Sequence, residues 1–166
     1  RERKILVTGG AGFIGSHMVD ALMRGGAEVR VLDNLSNGTL KNIQRWLGES
    51  SFKFIKGDML NRNDLERAVD ECEVIFHLAA NPEVRIGASL PEVHFEQNVM
   101  ATYCLLESLK RSRSIDLLVF TSSSTVYGDA SEIPTPEDYG PLKPISIYGA
   151  SKLASEALII SYAYTY

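Results

Sequence analysis

The chain has 166 residues, of which 45% are hydrophobic, and this is enough apolar material for the core of one folded domain. Its formal net charge is −4, and its Lys and Arg residues are spread along the sequence rather than gathered into one patch. This distribution argues against nucleic acid or an anionic membrane as a partner, and the sequence has no run of about 18 apolar residues that could span a bilayer.

Short apolar runs rich in β-branched residues alternate along the chain with longer patterns typical of helices. Strands are predicted at residues 4–8, 28–33, 52–57, 73–79 and 116–123. Helices are predicted at residues 13–25, 63–71 (capped by Asn61 or Asn63), 92–112 and 146–164, and loops at 34–50 and 128–145. This alternation predicts an α/β fold, a doubly wound parallel sheet with right-handed crossovers, in one domain over residues 1–166.

The segment TGGAGFIGS stands between the first predicted strand and the first predicted helix. The pattern GxGxxG is matched by Gly10, Gly12 and Gly15, and the pattern GxxGxxG is matched by Gly9, Gly12 and Gly15. Glycines at these positions let backbone N–H groups approach a pyrophosphate, and the helix N-terminus adds positive potential. A glycine-rich structural turn is the alternative, but the strand before and the helix after favour a dinucleotide site in a Rossmann fold.

Asp33 ends the second predicted strand, 18 residues beyond Gly15. In dinucleotide-binding folds a carboxylate at this place accepts hydrogen bonds from the adenosine ribose, although an Asp before Asn34 could also simply form a turn. A carboxylate repels a 2′-phosphate, and the following Leu35 and Ser36 supply no cation to bind one. The sequence therefore favours NAD over NADP.

A tyrosine followed four residues later by a lysine occurs twice in YGPLKPISIYGASK. Prolines within and directly after the first pair, Tyr139 and Lys143, prevent a continuous helix. The second pair, Tyr148 and Lys152, lies in a predicted helix with Ser146 as its N-cap, so the two side chains share one face. A free phenol is a poor base at neutral pH, and a cation one turn away favours its phenolate form. The second pair is therefore the candidate for acid–base chemistry.

Cysteine and histidine usage gives no sign of a metal site. Cys72 and Cys104 are isolated, which predicts free thiols in a reducing compartment. His17, His77 and His94 have no metal-ligand spacing among themselves or with the cysteines. The basic N-terminus is followed by glycines rather than by an uninterrupted apolar segment with a cleavage site. We therefore expect a cytoplasmic protein without a bound metal.

With these motifs the chain resembles the extended short-chain dehydrogenase/reductase family, in particular its nucleotide-sugar epimerase and dehydratase branch. The resemblance covers essentially the whole chain and rests on TGGAGFIG (8–15), DNLSNG (33–38), GDM (57–59), HLAA (77–80), Asn98, TSSSTVYGD (121–129) and YGASK (148–152). Members of this family are longer and build the sugar-nucleotide site mostly from their second half. The resemblance thus implies that this chain is the N-terminal, NAD-binding part.

The resemblance also implies the roles of individual residues. The catalytic residues would be Ser123, Tyr148 and Lys152, with Ser123 chosen over Ser122 and Ser124 from its spacing to VYG. Phe13 and Ile14 would flank the pyrophosphate, Asp58 and Met59 the adenine, and the segment 78–80 the nicotinamide, while Asn98 would steady the site from beneath. The full set of implied cofactor contacts is Gly9, Gly10, Gly12, Phe13, Ile14, Gly15, Asp33, Asn34, Leu35, Ser36, Asn37, Gly38, Asp58, Met59, Leu78, Ala79, Ala80, Asn98, Tyr148 and Lys152.

The two residues after Ser123 bear on the type of reaction. In the dehydratase branch an Asp-Glu pair stands there, and decarboxylases place Glu second, whereas this chain has Ser124 and Thr125. The resemblance therefore favours C4 epimerisation of a nucleoside-diphosphate sugar of the UDP-glucose/UDP-galactose type, through a 4-keto intermediate. Three alternatives remain. The substrate could be UDP-glucuronate or a UDP-N-acetylhexosamine, the reaction could be another NAD-dependent oxidation of a sugar nucleotide, or the chain could be a non-catalytic NAD-binding domain.

Two apolar helical segments, 98–109 and 153–164, predict an isologous homodimer, as is common in the family. Their apolar residues occupy more of each helix circumference than one sheet face can cover. These residues are Val99, Met100, Leu105, Leu106, Leu109, Leu153, Leu158, Ile159, Ile160 and Tyr162. We expect the two helices of each subunit to form a four-helix bundle in the dimer.

Overall fold

A computed structural model describes residues 3–112 and 114–166. Its strands are β1 (Lys4–Thr8), β2 (Glu28–Asp33), β3 (Phe52–Lys56), β4 (Val74–His77) and β5 (Leu117–Phe120). Its helices are α1 (Phe13–Arg24), α2 (Arg62–Val69), α3 (Pro91–His94), a π-helical segment (Phe95–Met100), α4 (Ala101–Leu109) and α5 (Ile147–Thr165). Each predicted strand and helix is confirmed, and Asn61 is the N-cap of α2.

The strands form one parallel sheet in the order β3-β2-β1-β4-β5. The central strands β1 and β2 are buried from their second residue onward, as expected for strands covered on both faces. Because all strands run in one direction, their carboxyl ends, including Thr8, Asp33 and His77, lie at the same edge of the sheet. This confirms the predicted α/β doubly wound parallel sheet.

The chain divides into two compact units. The first comprises the residues up to Ala79 together with Cys104–Thr121, and it contains the sheet. The second comprises Ala80–Tyr103 and Ser122–Tyr166, and it contains α3, the π-helical segment and α5. In the first unit the core beneath the phosphate loop is formed by Val7, Ala11, Val19, Met23, Val29, Val31, Ile43 and Phe52.

Among the predicted elements, two differ most from the structure in their ends or in their winding. The helix predicted at residues 92–112 starts at Pro91, ends at Leu109 and is π-helical over residues 95–100. Within the π-helical segment the carbonyl oxygen of Asn98 accepts hydrogen bonds from the hydroxyl groups of Thr102 and Ser155, and such side-chain donors compensate altered backbone pairing. The strand predicted at 116–123 is shorter, since the chain enters a 3₁₀ turn (Ser124–Tyr127) capped by Ser123.

Arg30 is a buried charge in the first unit. Its guanidinium donates hydrogen bonds of 2.9 Å to the carbonyl oxygens of Arg67, Ala68 and Asp70 at the C-terminal end of α2. A cation at this end of a helix pairs with the negative pole of the helix dipole. Arg30 thus fixes α2 on the sheet and has a structural role.

Across residues 3–112 and 114–166, no three His, Cys, Asp or Glu side chains are grouped so that they could hold a metal ion. Every helix within the same two ranges is too short or too polar to span a bilayer. Cys72 and Cys104 are free, as predicted, and burial raises the pKa of the Cys72 thiol to about 11. A thiol with this pKa stays protonated and unreactive at neutral pH.

Candidate active site

The phosphate loop between β1 and α1 depends on two glycines that lie against other backbone atoms. Gly9 has φ +70, and a Cβ atom there would lie 2.8 Å from the backbone nitrogen of Ala79. A Cβ atom at Gly15 would collide with the carbonyl oxygen of Gly9. Larger residues would push the loop away from β4 and α1 away from the loop, so both positions require glycine.

The N-terminus of α1 is open to an anion. Its N-cap is Gly12, which has no side chain to accept hydrogen bonds from the first-turn amides. The side chains of Phe13 and Ile14 are 80% and 61% exposed beside these amides. A helix terminus without a side-chain cap offers N–H groups and positive dipole potential to an anion such as a pyrophosphate.

Asp33 connects the phosphate loop to the turn after β2. Its Oδ2 accepts a 2.9 Å hydrogen bond from the Ala11 N–H, and its Oδ1 accepts a 2.8 Å hydrogen bond from the Leu35 N–H. Each carboxylate oxygen can accept a second hydrogen bond. Asp33 can therefore position the loop and still bind ribose hydroxyls.

Asn42 is a further contact of this loop that the sequence did not suggest. Its Nδ2 donates a 2.8 Å hydrogen bond to the Ala11 carbonyl oxygen, which also accepts one from the Thr39 N–H. Gly38 lies beside the same peptide, since a Cβ atom there would be 2.8 Å from the Ala11 carbonyl carbon. Together with Asp33, these contacts hold both peptide groups of Ala11 in place.

Asp58, which is predicted to border the adenine, is hydrogen-bonded to the turn after β2. Asn34 donates a 3.0 Å hydrogen bond to Oδ2 of Asp58, and Oδ1 of Asp58 accepts one from the Leu60 N–H. Met59 is buried. Leu35 has a left-handed backbone conformation (φ 63), and its side chain packs against the core. The remaining residues of the DNLSNG motif, Ser36 and Asn37, are exposed.

Thr8 fixes the turn that follows β4. Its Oγ1 accepts 3.2 Å hydrogen bonds from the N–H groups of Leu78 and Ala79, and it lies 2.8 Å from Nδ1 of His77. Because both acceptor positions of the hydroxyl are occupied, its hydrogen points to His77 Nδ1. Thr8 therefore ends β4 at His77 and holds the HLAA segment. Sequence reasoning missed this role, for which the only local signal is the position of Thr8 at a strand end.

Tyr148 and Lys152 lie on α5 in the second unit, one turn apart. Ser146 caps this helix as predicted, because its hydroxyl oxygen accepts a 3.0 Å hydrogen bond from the Gly149 N–H. Tyr148 is half-buried and Lys152 is 3% exposed. Burial lowers the pKa of Lys152 to about 8, and the Glu156 carboxylate opposes this shift. The pair thus combines a phenol with an ammonium group that loses its proton close to neutral pH.

The competing pair does not lie on a helix. Tyr139 and Lys143 are in the loop before α5, as the prolines predicted. The Tyr139 hydroxyl oxygen accepts a 3.0 Å hydrogen bond from the Ser131 N–H, which gives this ring a role in loop packing.

Asn98 supports the turn of α5 that carries Tyr148. Its Oδ1 accepts a 2.7 Å hydrogen bond from the Asn81 N–H, which leaves its Nδ2 to donate to Oγ of Ser151 at 2.9 Å. Ser151 in turn donates a 2.7 Å hydrogen bond to the carbonyl oxygen of Tyr148. This chain of hydrogen bonds connects Asn98 to the turn of α5 that carries Tyr148, and it includes Ser151, which sequence reasoning missed.

His94 packs against the catalytic tyrosine and was also missed. Its ring lies edge-on to that of Tyr148, with centroids 5.5 Å apart, and it is fully buried. Its Nδ1 faces Nδ2 of Asn98 at 3.3 Å and must therefore accept, which places the ring hydrogen on Nε2. In the described part of the chain Nε2 has no hydrogen-bond partner. The buried ring of His94 thus packs directly against the ring of Tyr148.

Ser123 is the N-cap of the 3₁₀ turn and lies in the same unit as Tyr148 and Lys152. Its Oγ accepts hydrogen bonds from the backbone N–H and the hydroxyl of Thr125. Of the two alternatives, Ser124 is exposed, and Oγ of Ser122 is buried without a partner among the described residues. Ala80 and Asn98 also belong to this unit, whereas the other predicted cofactor contacts, apart from Tyr148 and Lys152, belong to the first.

Curated proteins similar to this chain include proteins named as UDP-glucose 4-epimerases. UDP-glucose 4-epimerase of Neisseria meningitidis serogroup B is 37% identical over 161 residues, which are 95% of this chain and 47% of that protein. A putative UDP-glucose 4-epimerase of Methanocaldococcus jannaschii is 39% identical over 95% of this chain and 50% of that protein. The chain thus spans about half the length of the curated relatives that it matches.

Solved structures give the same result. A UDP-galactose 4-epimerase matches with 48% identity and a TM-score of 0.84, covering 98% of this chain and 52% of that one. UDP-glucose 4-epimerase from Brucella ovis, solved with NAD, matches with 32% identity and a TM-score of 0.90, covering 99% of this chain and 49% of that one. The model of the NAD dependent epimerase/dehydratase family matches residues 5–166. This chain is therefore a member of the NAD dependent epimerase/dehydratase family.

Proposed function

We propose that the full-length protein epimerises a nucleoside-diphosphate sugar at C4, with UDP-glucose and UDP-galactose as the substrate pair and NAD as the cofactor. The observation that carries this proposal is the pairing of Tyr148 with the buried Lys152 on one face of α5, in a chain of this family. The names of the matching relatives support the substrate class.

The first unit offers the features that NAD requires. The glycine turn and the open N-terminus of α1 would hold the pyrophosphate, and Asp33 would accept hydrogen bonds from the adenosine ribose. When bound, NAD would supply reversible hydride transfer at C4. Asn34, Asp58 and Met59 would border the adenine.

The second unit offers the groups that move the proton. Tyr148 in its phenolate form would accept the proton of the C4 hydroxyl and later return it to the C4 oxygen. With a pKa of about 8, Lys152 is mostly protonated at pH 7. A cation one turn from a phenol would favour the phenolate form. Ser123 would hold the C4 oxygen by a hydrogen bond. Neither Ser124 nor Thr125 is an acid, so the site lacks the pair that the dehydratase branch uses to eliminate water.

Incubation of the full-length polypeptide with UDP-galactose tests this function. We expect UDP-glucose to form until both sugars are present at equilibrium, without added reductant or oxidant. UDP-glucuronate and a UDP-N-acetylhexosamine, assayed in parallel, identify the alternative substrates. Bound NAD with no conversion of any of the three would contradict the proposal and favour a non-catalytic NAD-binding protein.

Asp33 should make the protein select NAD over NADP. Its carboxylate would face the ribose 2′ position, so we expect NAD to bind at least about tenfold more tightly, or about 1.4 kcal/mol. Titration of both cofactors into the cofactor-free protein measures this ratio. Asp33→Asn keeps a hydrogen-bond acceptor for Ala11 or Leu35 and should narrow the preference. Tighter binding of NADP to the wild type would contradict the prediction.

We also propose an isologous homodimer that packs the segments 98–109 and 153–164 of two subunits together. Leu105 and Leu106 are buried within this chain, so these two residues do not add to the apolar surface. Ile160 is 56% exposed and Tyr103 40% exposed, and both remain available for the interface. Light scattering of the full-length protein at micromolar concentration should give twice the subunit mass, and a subunit mass would count against the dimer.

We propose a cytoplasmic location for the protein. Its two free cysteines support a reducing compartment.

A further inference from the structure

We propose that Thr125 is a positioning residue that forces the Ser123 hydroxyl to act as a hydrogen-bond donor to the C4 oxygen of the sugar. This proposal rests on the proposed epimerase function and deepens it. It assigns a specific task to the residue that stands where the dehydratase branch has a glutamate.

The hydrogen bonds of Ser123 carry the argument. Its Oγ accepts a 2.9 Å hydrogen bond from the hydroxyl of Thr125 and a 3.2 Å hydrogen bond from the Thr125 N–H. A serine hydroxyl has two acceptor positions and one hydrogen. Because Thr125 occupies both acceptor positions, the hydrogen of Ser123 must point away from Thr125. Ser123 can therefore donate to a substrate oxygen but is not available to accept a proton from it.

A Ser123 hydroxyl that donates but does not accept suits the proposed chemistry. Tyr148 must take the proton of the C4 hydroxyl, so a second acceptor at that oxygen would compete with it. A donor instead stabilises the negative charge that develops on the oxygen, both as the proton leaves and when the 4-keto group is reduced again. Donation by Thr125 also polarises the Ser123 O–H bond, since hydrogen bonds in a chain strengthen one another.

The backbone of Thr125 is fixed independently of its side chain. Its carbonyl oxygen lies against α5 at Gly149, where a Cβ atom would be 2.7 Å away, and it accepts a hydrogen bond from the Gly128 N–H. The next residue, Val126, is buried. Gly149 directly follows Tyr148, so the turn that carries Ser123 is seated on the same helical turn as the catalytic tyrosine. Removing only the Thr125 hydroxyl should leave the contact with Gly149 and the hydrogen bond from the Thr125 N–H to Oγ of Ser123 intact.

The test compares variants of the full-length protein with UDP-galactose as substrate. Thr125→Val removes the hydroxyl at nearly constant volume, and we expect kcat to fall about 10–100-fold, less than the loss of a whole donor, with KM changed less than about threefold. Thr125→Ser restores the hydroxyl and should recover most of kcat. Thr135→Val is the matched control, because it removes the hydroxyl of a threonine outside the predicted site, where the group donates a hydrogen bond to the backbone oxygen of Glu132. It should leave kcat unchanged.

A double-mutant cycle shows whether Thr125 acts through Ser123. In a Ser123→Ala background the Val substitution at Thr125 should cause no further loss, because there is no serine hydroxyl left to orient. If the two losses multiply, or if Thr125→Val keeps the wild-type kcat, the proposal is wrong. Equal losses for the Val and Ser variants would also contradict it, since they would indicate a packing role. If Thr125→Val does not fold, Thr125→Ala enters the same cycle with the same expectations.

The outcomes distinguish a failure of the proposed epimerase function from a failure of the role proposed for Thr125. A wild type that is inactive on all UDP-hexoses overturns the epimerase function and this proposal together. An active wild type with an unaffected Thr125→Val variant overturns the role of Thr125 alone.

Discussion

Tyr148→Phe should lower kcat for epimerisation by at least the roughly 10²–10⁴-fold that a general acid–base group contributes. The substitution removes only the hydroxyl, so packing against His94 and the hydrogen bond from Ser151 to the backbone of residue 148 can remain. NAD content and the unfolding midpoint should therefore stay close to wild type. Steady-state kinetics with UDP-galactose and a cofactor assay of the purified full-length protein measure both effects.

Tyr139→Phe is the matched control for this substitution. It removes the same hydroxyl from the other tyrosine–lysine pair, where the group accepts a hydrogen bond from the Ser131 N–H in a loop. We expect most of the activity to remain. Equal losses from the two substitutions would show that the choice of the helical pair is mistaken.

Lys152→Met should abolish most activity and stabilise the cofactor-free protein. The folded-state pKa of Lys152, about 8, lies below the ordinary value of 10.5, because burial disfavours the ammonium form. Below about pH 8 the folded state therefore carries the whole cost of the buried charge, at most about 3 kcal/mol. A methionine of similar length avoids this cost. We expect the free energy of unfolding at pH 7 to rise by about 1–3 kcal/mol.

The pH dependence of stability gives a second readout for the same residue. Between about pH 8 and pH 10.5 the unfolded chain binds more protons at Lys152 than the folded chain, so this group makes wild-type stability rise with pH. The advantage of the Met variant should therefore shrink across this window. Denaturant unfolding of both proteins at pH 7 and pH 10 measures the difference, and Lys143→Met serves as the exposed control. A variant less stable than wild type at pH 7 would contradict the account of a costly buried charge.

Most of the fold could be predicted from local patterns in the sequence. β2 has the predicted bounds because its apolar, β-branched residues are bracketed by loop residues. α5 begins where Ser146 supplies a cap after the last proline. The same pattern distinguished the helical pair, Tyr148 and Lys152, from the pair in the loop. The spacing of the glycines located the phosphate loop, because these glycines stand close together in the sequence. Gly9 nevertheless contacts the backbone of Ala79, in a distant part of the sequence.

The supporting residues of the site could not be predicted, because their roles depend on contacts between distant parts of the chain. Thr8 acts on a turn about 70 residues away, and Asn42 acts on Ala11 across the end of the sheet. His94 looks like any polar residue in a helix until the fold brings its ring against Tyr148. The π-helical segment around Asn98 likewise reflects tertiary hydrogen bonds rather than a local pattern.

The most direct test of the epimerase function follows the hydrogen at C4. UDP-galactose carrying deuterium at C4 is incubated with the full-length protein in ordinary water, and the UDP-glucose formed is analysed by NMR. In the proposed reaction the C4 hydrogen moves as a hydride that does not exchange with water, while Tyr148 handles only the exchangeable hydroxyl proton. We therefore predict that the product retains deuterium at C4. A product with solvent hydrogen at C4, or no product from a protein that holds NAD, would contradict this mechanism.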